Sequence, residues 1–314
     1  STGHTLSVTP RLVAQRRGLR WEAYANGWIK PRRLVGHNAA VRALATAPDG
    51  RVYSGSDDGT VRVWSLAAAA NAPRIIKCFS DCGVSAVAIG LGGRVFTGSR
   101  MRSTIRVWPD VDGPSVPQLL VGHRGGITAL VVSPDQSIVY SGSADCTVRA
   151  WSAADGNLMR TLRGHNRAVL ALAVTASGRV VSGSTDRTVR VWGTDGDQPI
   201  ITLRGHSKRV LSLAVGAGGT LFSGSFDRTI RSWATMDYTH TRRLRYKAAG
   251  ILALATASDG KLFAGVWDGT LSVWAESDGS LLTTVYSGSS ILALTTTLDG
   301  RVLSATSDGT IYAW

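Results

Sequence analysis

Short apolar runs broken by glycine, serine and aspartate fill most of the chain, and one stretch carries the whole pattern. Val169-Leu-Ala-Leu-Ala-Val174 is apolar almost without interruption, as expected of a strand covered on both faces. Ala176-Ser-Gly178 makes a turn, and Arg179-Val-Val-Ser-Gly183 reads as a second strand. Thr185-Asp-Arg187 turns tightly into a third strand that ends at Trp192. A polar Gly-Thr-Asp-Gly-Asp loop then leads to Ile200-Ile-Thr-Leu203, a fourth and outer strand.

This order recurs at a fixed period. Trp64, Trp108, Trp151, Trp192, Trp233, Trp274 and Trp314 are spaced by 44, 43, 41, 41, 41 and 40 residues. Before them come runs such as Thr60-Val-Arg-Val-Trp64 and Thr229-Ile-Arg-Ser-Trp233. Further upstream lies Ser-Gly-Ser-x-Asp, at 54–58, 141–145, 182–186 and 223–227, and before that Gly-His, at His37, His123, His165 and His206. Four strands per period, seven times over, predict an all-β, seven-bladed propeller of four-stranded antiparallel blades. The last repeat stops at Trp314, the end of its third strand. Its outer strand is therefore expected from the N-terminal sequence, within 20–30, where Arg20-Trp21-Glu-Ala-Tyr24 runs on to Ile29; this hides the free sheet edges and closes the ring. Residues 1–19 form a basic tail and 20–314 the propeller.

These repeats resemble the WD-repeat β-propeller family over about residues 34–314. The resemblance implies a hydrogen-bonded tetrad of histidine, serine, turn aspartate and tryptophan in a blade. Four sets are complete: His37, Ser54, Asp58 and Trp64; His123, Ser141, Asp145 and Trp151; His165, Ser182, Asp186 and Trp192; His206, Ser223, Asp227 and Trp233. The chemistry agrees, since buried polar groups on packed strands must pair with one another. Blade 2 departs most, with Ser80 at the histidine position and Arg100 to Ser103 in place of the aspartate turn. Blades 6 and 7 keep Asp268 and Asp308 but carry Lys247 and Ser287 at the histidine position. These three blades are expected to be looser or to carry the partner-specific surface.

Enzymatic function is not expected. A catalytic triad needs a solvent-facing nucleophile at one site, whereas these histidine, serine and aspartate sets recur four times at one spacing. Glutamate is confined to Glu22 and Glu276, and no glycine-rich phosphate loop opens a helix. Cys78 and Cys82 have neither a nearby histidine nor a second cysteine pair, so no metal and no cofactor is expected.

Propellers of the resembled family bind partners on the face built by the fourth-to-first and second-to-third strand loops, and at the mouth of the axis. Two positions of the repeat map there. The residue before the turn aspartate gives Phe226 and Trp267 on adjacent blades, and the residue after the first branched apolar residue of the inner strand gives Arg42, Leu211, Leu252 and Leu292. Exposed aromatics beside aliphatics have the composition of an interface hot spot, although packing beneath a neighbouring loop or the tail would explain them equally. Around the rest of that face lie Arg42, Arg100, Arg102, Arg124, Arg167, Arg187, Lys208, Arg209 and Arg228. The third-strand arginines Arg62, Arg106, Arg149, Arg190 and Arg231 recur with the repeat and are expected to pack their stems between blades, outside the site.

Composition narrows the partner. Thirty-five Lys and Arg against 21 Asp and Glu give +14, of which +6 lies in residues 1–33. Thirty of the 35 are arginine, which GC-rich codons would also produce, yet such a balance favours acidic partners or nucleic acid. The leading reading is a non-catalytic scaffold binding protein partners, either an acidic peptide or a large assembly. A substrate receptor of an F-box-type ubiquitin ligase is the second, because Leu162-Arg-Gly-His165 and its surroundings resemble those propellers. The phosphate-reading receptors of that kind carry arginines where this chain has Arg42 alone. An RNA-associated propeller touching RNA through the basic tail is the third. No small-molecule substrate is expected, and no apolar run approaches the length of a membrane span. Three cysteines, an odd count, point to a reducing intracellular compartment, cytoplasmic, cytoskeletal or nuclear. The acid-free, arginine-bearing start would also suit the remnant of a mitochondrial transit peptide.

Overall fold

A computed structural model describes residues 31–66, 72–109, 116–194, 196–246 and 249–314. Within them the chain forms seven four-stranded antiparallel sheets, and the first six blades pair their strands in sequence order from the axis outwards. The inner strands are Val41–Thr46, Ala86–Ile89, Ile127–Val132, Val169–Val174, Val210–Val215, Ile251–Thr256 and Ile291–Thr296, and each neighbours the next around the ring. The single helical element among the described residues is the 3₁₀ turn Leu91–Gly93.

The core is divided into seven clusters, and each spans two adjacent blades. Val181, Val189 and Val191 of blade 4 pack on Val210, Leu213 and Leu221 of blade 5, and Tyr140, Val148 and Ala150 of blade 3 pack on Val169, Val180 and Trp192 of blade 4. The glycine of each Ser-Gly-Ser is where the blades approach most closely. A Cβ on Gly183 would stand 2.7 Å from Val210 Cγ1, and one on Gly142 2.8 Å from Val169 Cγ1. Alternation on the second strand thus buries serine towards the tetrad while glycine admits the next blade's first branched residue.

The ring closes as antiparallel pairing of the N-terminal strand Arg32–Leu34 with Ile311–Ala313, in the register Arg32 with Ala313 and Leu34 with Ile311. The closing strand therefore lies just beyond the 20–30 stretch expected to supply it, and 1–30, including the basic tail, fall outside the described residues. Leu34 joins Val41, Val52 and Trp64 of blade 1 to Leu303 and Ile311 of blade 7, and the Arg32 guanidinium donates to Leu66 O at 2.9 Å.

Candidate functional site

The tetrads are assembled from four elements: the Gly-His loop, the second strand, the tight turn into the third strand and the third strand itself. In blade 4, Trp192 Nε1 donates to Ser182 Oγ at 2.8 Å, Ser182 Oγ lies 2.7 Å from His165 Nε2, and His165 Nδ1 lies 2.7 Å from Asp186 Oδ2. Asp186 also accepts from the backbone N–H of Asn166 and Thr188 and from the Thr188 hydroxyl. The same bonds join His37 with Ser54, Asp58 and Trp64, His123 with Ser141, Asp145 and Trp151, and His206 with Ser223, Asp227 and Trp233. The serines are completely buried and the histidines nearly so. The serine hydroxyl already accepts from indole and has its proton to give, so the imidazole takes it at Nε2 and donates from Nδ1 to the carboxylate. This fixes a neutral tautomer, and burial lowers the His37 pKa, which favours the same form. A serine so enclosed offers no lone pair to a substrate.

The incomplete blades replace the histidine from unexpected positions. In blade 6 the Tyr246 hydroxyl stands 3.3 Å from Asp268 Oδ2, while Lys247, assigned to the histidine position from sequence, lies outside the described residues. In blade 7 Ser289 Oγ donates to Asp308 Oδ2 at 2.9 Å; Ser287, the residue assigned there, turns its hydroxyl to Gly269 O and Ser289 O instead. In blade 2 Trp108 Nε1 donates to Thr97 Oγ1 at 3.1 Å.

A second repeated feature shapes the upper mouth of the axis. In six blades the inner strand bulges after its first residue, between Val41 and Ala43, Ile127 and Ala129, Val169 and Ala171, Val210 and Ser212, Ile251 and Ala253, and Ile291 and Ala293. A bulge re-aims the extra side chain. Those extra residues are Arg42, Thr128, Leu170, Leu211, Leu252 and Leu292, and all six line an axial cavity of about 210 Å³. Leucines thus occupy the mouth over blades 4 to 7, and Arg42 is its one cation.

Arg42 is held by Asp57: its Nε lies 2.7 and 2.8 Å from the two carboxylate oxygens and Nη2 2.6 Å from Oδ2. Arg100 lies near it, where desolvation by its neighbours and then the like charges of Arg42 and Arg209 lower its pKa, with Asp57 opposing. Ring closure therefore gathers arginines from blades 1, 2 and 5. Arg209 lies over the Phe226 ring with Cζ 4.6 Å from the centroid, and Lys208 Nζ approaches the same ring at 5.4 Å. Phe226 meets Trp267 edge to face at 6.4 Å. The two aromatics differ in role: Phe226 is half-buried, with a Cβ on Gly250 reaching 2.8 Å from its Cδ2, whereas Trp267 is 56% exposed.

The remaining cations do not join this group. Arg102 pairs with Asp81, and Arg124 and Arg228 are exposed on blades 3 and 5. Arg167 and Arg187 line a separate hollow of about 480 Å³ on blade 4. The third-strand arginines lie against the Gly-His loops, where a Cβ on Gly164 would stand 2.5 Å from Arg190 Nη1, and Arg190 itself borders that hollow. Sequence reasoning set Arg190 aside and did not include Arg204, which completes the lining. It also missed an apolar cavity of about 700 Å³ between blades 2 and 3, on the face opposite the Gly-His loops, lined by Leu91, Phe96, Ile138 and Met159. Among the described residues no cluster of histidine, cysteine and carboxylate side chains could hold a metal, and no helix is long and apolar enough to cross a membrane.

Comparison with known proteins extends the repeat. The family described as "WD domain, G-beta repeat" (WD40) matches residues 29–65, 115–152, 156–193, 197–234 and 239–275. The chain is 31% identical over 171 residues to nuclear distribution protein nudF of Emericella nidulans, which covers 47% of this chain and 38% of that protein. It is 35% identical over 106 residues to guanine nucleotide-binding protein subunit beta-5b of Danio rerio, covering 33% and 27% of the two chains. The matched stretches span less than half the length of these relatives. Among solved structures, the WD40 β-propeller domain of Doa1 superposes with a TM-score of 0.81 at 25% identity, over 90% of this chain and 94% of that one.

Proposed function

The chain belongs to the WD40-repeat family of protein-interaction scaffolds, and we propose that this member holds an acidic protein partner on its upper face as one subunit of a larger assembly. One observation carries the reading: Arg209, stacked on Phe226, stands beside the exposed Trp267, with Arg100 and the leucine-lined mouth adjoining. An aromatic anchor next to guanidinium groups suits an acidic segment with one large apolar residue. The scaffold is non-catalytic in this reading, since each serine, histidine and aspartate set is spent on its own blade. Its three cysteines are free, in keeping with an intracellular site.

The ligase reading draws less support. Arg42, the one arginine at the bulge position, is already forked onto Asp57 rather than offered to a phosphate.

The test is affinity capture of the tagged full-length protein at moderate salt, with mass spectrometry of what is retained. A stoichiometric acidic partner is expected from the wild type and lost from Trp267→Ala combined with Arg209→Glu. Both side chains are exposed, so the melting temperature should hold; Phe226 is left in place because it is packed. Equal capture by the variant would exclude this face as the docking surface, and recovery of a cullin with its adaptor would make the protein a substrate receptor.

A further inference from the structure

The repeat provides internal controls for the hollow on blade 4. Four positions border it: the second residue after the Gly-His histidine, the residue after the turn aspartate, the third-strand arginine, and the residue that follows the outer strand's last inward-facing leucine or isoleucine. In blade 1 these are Ala39, Gly59, Arg62 and Lys77, and in blade 3 Gly125, Cys146, Arg149 and Arg163. In blade 4 all four are arginine: Arg167, Arg187, Arg190 and Arg204. Blade 5 has Lys208, Arg228, Arg231 and Arg245, but Lys208 is drawn over the Phe226 ring and Arg228 has a contact of its own.

Among the described residues the blade 4 set has one negative charge against four positive ones. Asp186 is the only carboxylate in the lining, and its two oxygens are filled by His165, Asn166 N–H and Thr188. Arg167, Arg187 and Arg204 are exposed and have no ion pair or side-chain hydrogen bond among the described residues; Arg190 Nε is buried without a partner, as is the Nε of Arg62, Arg106, Arg149 and Arg231 in other blades. Arg187 is moreover held at φ 73°, a conformation that blades 1, 6 and 7 give to Gly59, Gly269 and Gly309 and that Cys146 and Arg228 share in blades 3 and 5. A side chain costs energy there and is retained here. Four guanidinium groups around one hollow are matched by an anion with three acceptor oxygens and a double charge, and Asn166, Thr185 and Thr188 add neutral partners.

From this lining we infer that the hollow formed by Arg167, Arg187, Arg190 and Arg204 binds a phosphoryl group, carried either by a phosphorylated residue of a partner or by a small phosphate compound. The site lies apart from the mouth of the axis and from Trp267, and it does not depend on the function proposed above.

The decisive variant combines Arg167→Ala, Arg187→Gly and Arg204→Ala. It removes three exposed charges and relaxes the backbone at 187, so a folding defect is not expected. Lys77→Ala with Arg243→Ala and Arg245→Ala removes the same charge from exposed outer strands of other blades. Pyrophosphate and a serine-phosphorylated alanine-rich peptide are titrated calorimetrically into all three full-length proteins. Wild type and charge control should bind at least one probe alike, and the blade 4 variant about tenfold more weakly or not at all. Binding of the peptide alone assigns the phosphoryl group to a protein partner, and binding of pyrophosphate alone assigns it to a small phosphate. Equal binding by the blade 4 variant, equal loss in the charge control, or no binding of either probe to the wild type would overturn the site.

Discussion

Ser182 Oγ accepts a hydrogen bond from Trp192 and donates one to His165, so a single hydroxyl ties the third strand to the Gly-His loop. Asp186 then gathers that loop and the tight turn onto one carboxylate. Burial alone would raise the Asp186 pKa, but hydrogen bonds from His165 and Thr188 overcome it and hold the carboxyl well below the ordinary range. Asp186→Ala should therefore destabilise the protein by roughly 1–3 kcal/mol, because His165 Nδ1–H and two backbone N–H groups lose their acceptor. Urea unfolding of the two proteins measures this, and a midpoint equal to the parent's would show the carboxylate to be dispensable. Residues at this scale were legible where histidine, serine, aspartate and tryptophan keep a fixed spacing. Tyr246 and Ser289 were not, because each reaches its aspartate from a neighbouring position in a loop, and counting along the chain cannot tell which loop residue points inward.

At the scale of elements, six blades make their outer strand from their own sequence, and only blade 7 borrows one from the other end of the chain. Four strands per period were readable from the apolar runs and glycine turns, whereas the borrowed strand was placed too early. A local signal exists for it. Outer strands end in a buried leucine three residues before the Gly-His histidine: Leu120-Val-Gly-His123, Leu162-Arg-Gly-His165 and Leu203-Arg-Gly-His206, to which Leu34-Val-Gly-His37 is the match. Leu34 is 6% exposed and bridges blades 7 and 1, so Leu34→Ala leaves a cavity at the closure. The expected loss is about 2–4 kcal/mol, read from the denaturation midpoint. A loss no larger than that of Arg33→Ala, whose side chain is exposed, would mean that the pairing of Arg32–Leu34 does not hold the ring shut.

Across the whole molecule, seven blades share one closed ring, so a turn aspartate in any of them bears on the stability of the whole. The mouth was legible only in outline, since the bulge positions could be counted but the meeting of Arg42, Arg100 and Arg209 requires the ring to close. The same closure distributes aspartates around both faces. Asp58, Asp145, Asp186, Asp227 and Asp308 all have lowered pKa values despite burial that would raise them, through bonds to histidine, threonine or serine. On the opposite face, Ser133 and Ser137 bring Asp135 down to about 2. These folded carboxyls thus bind protons more weakly than unfolded ones, whose pKa is about 3.9, so at them the unfolded state takes up protons first as the pH falls; Glu276, raised by burial, opposes them. His37 acts in the same direction as the aspartates: lowered below its usual value, it gives a contribution that is present above about pH 6.5 and declines below it. The melting temperature should accordingly fall slightly from pH 7 to 5 and steeply below about pH 4. Acidification also increases the repulsion within a chain that already carries +14. Repeating the scan at about 1 M salt, where the screening length is roughly 3 Å, separates the two causes. The proton-linked loss should persist at high salt and be smaller in Asp186→Ala, whereas a transition that salt abolishes would trace acid unfolding to net charge and not to the turn aspartates.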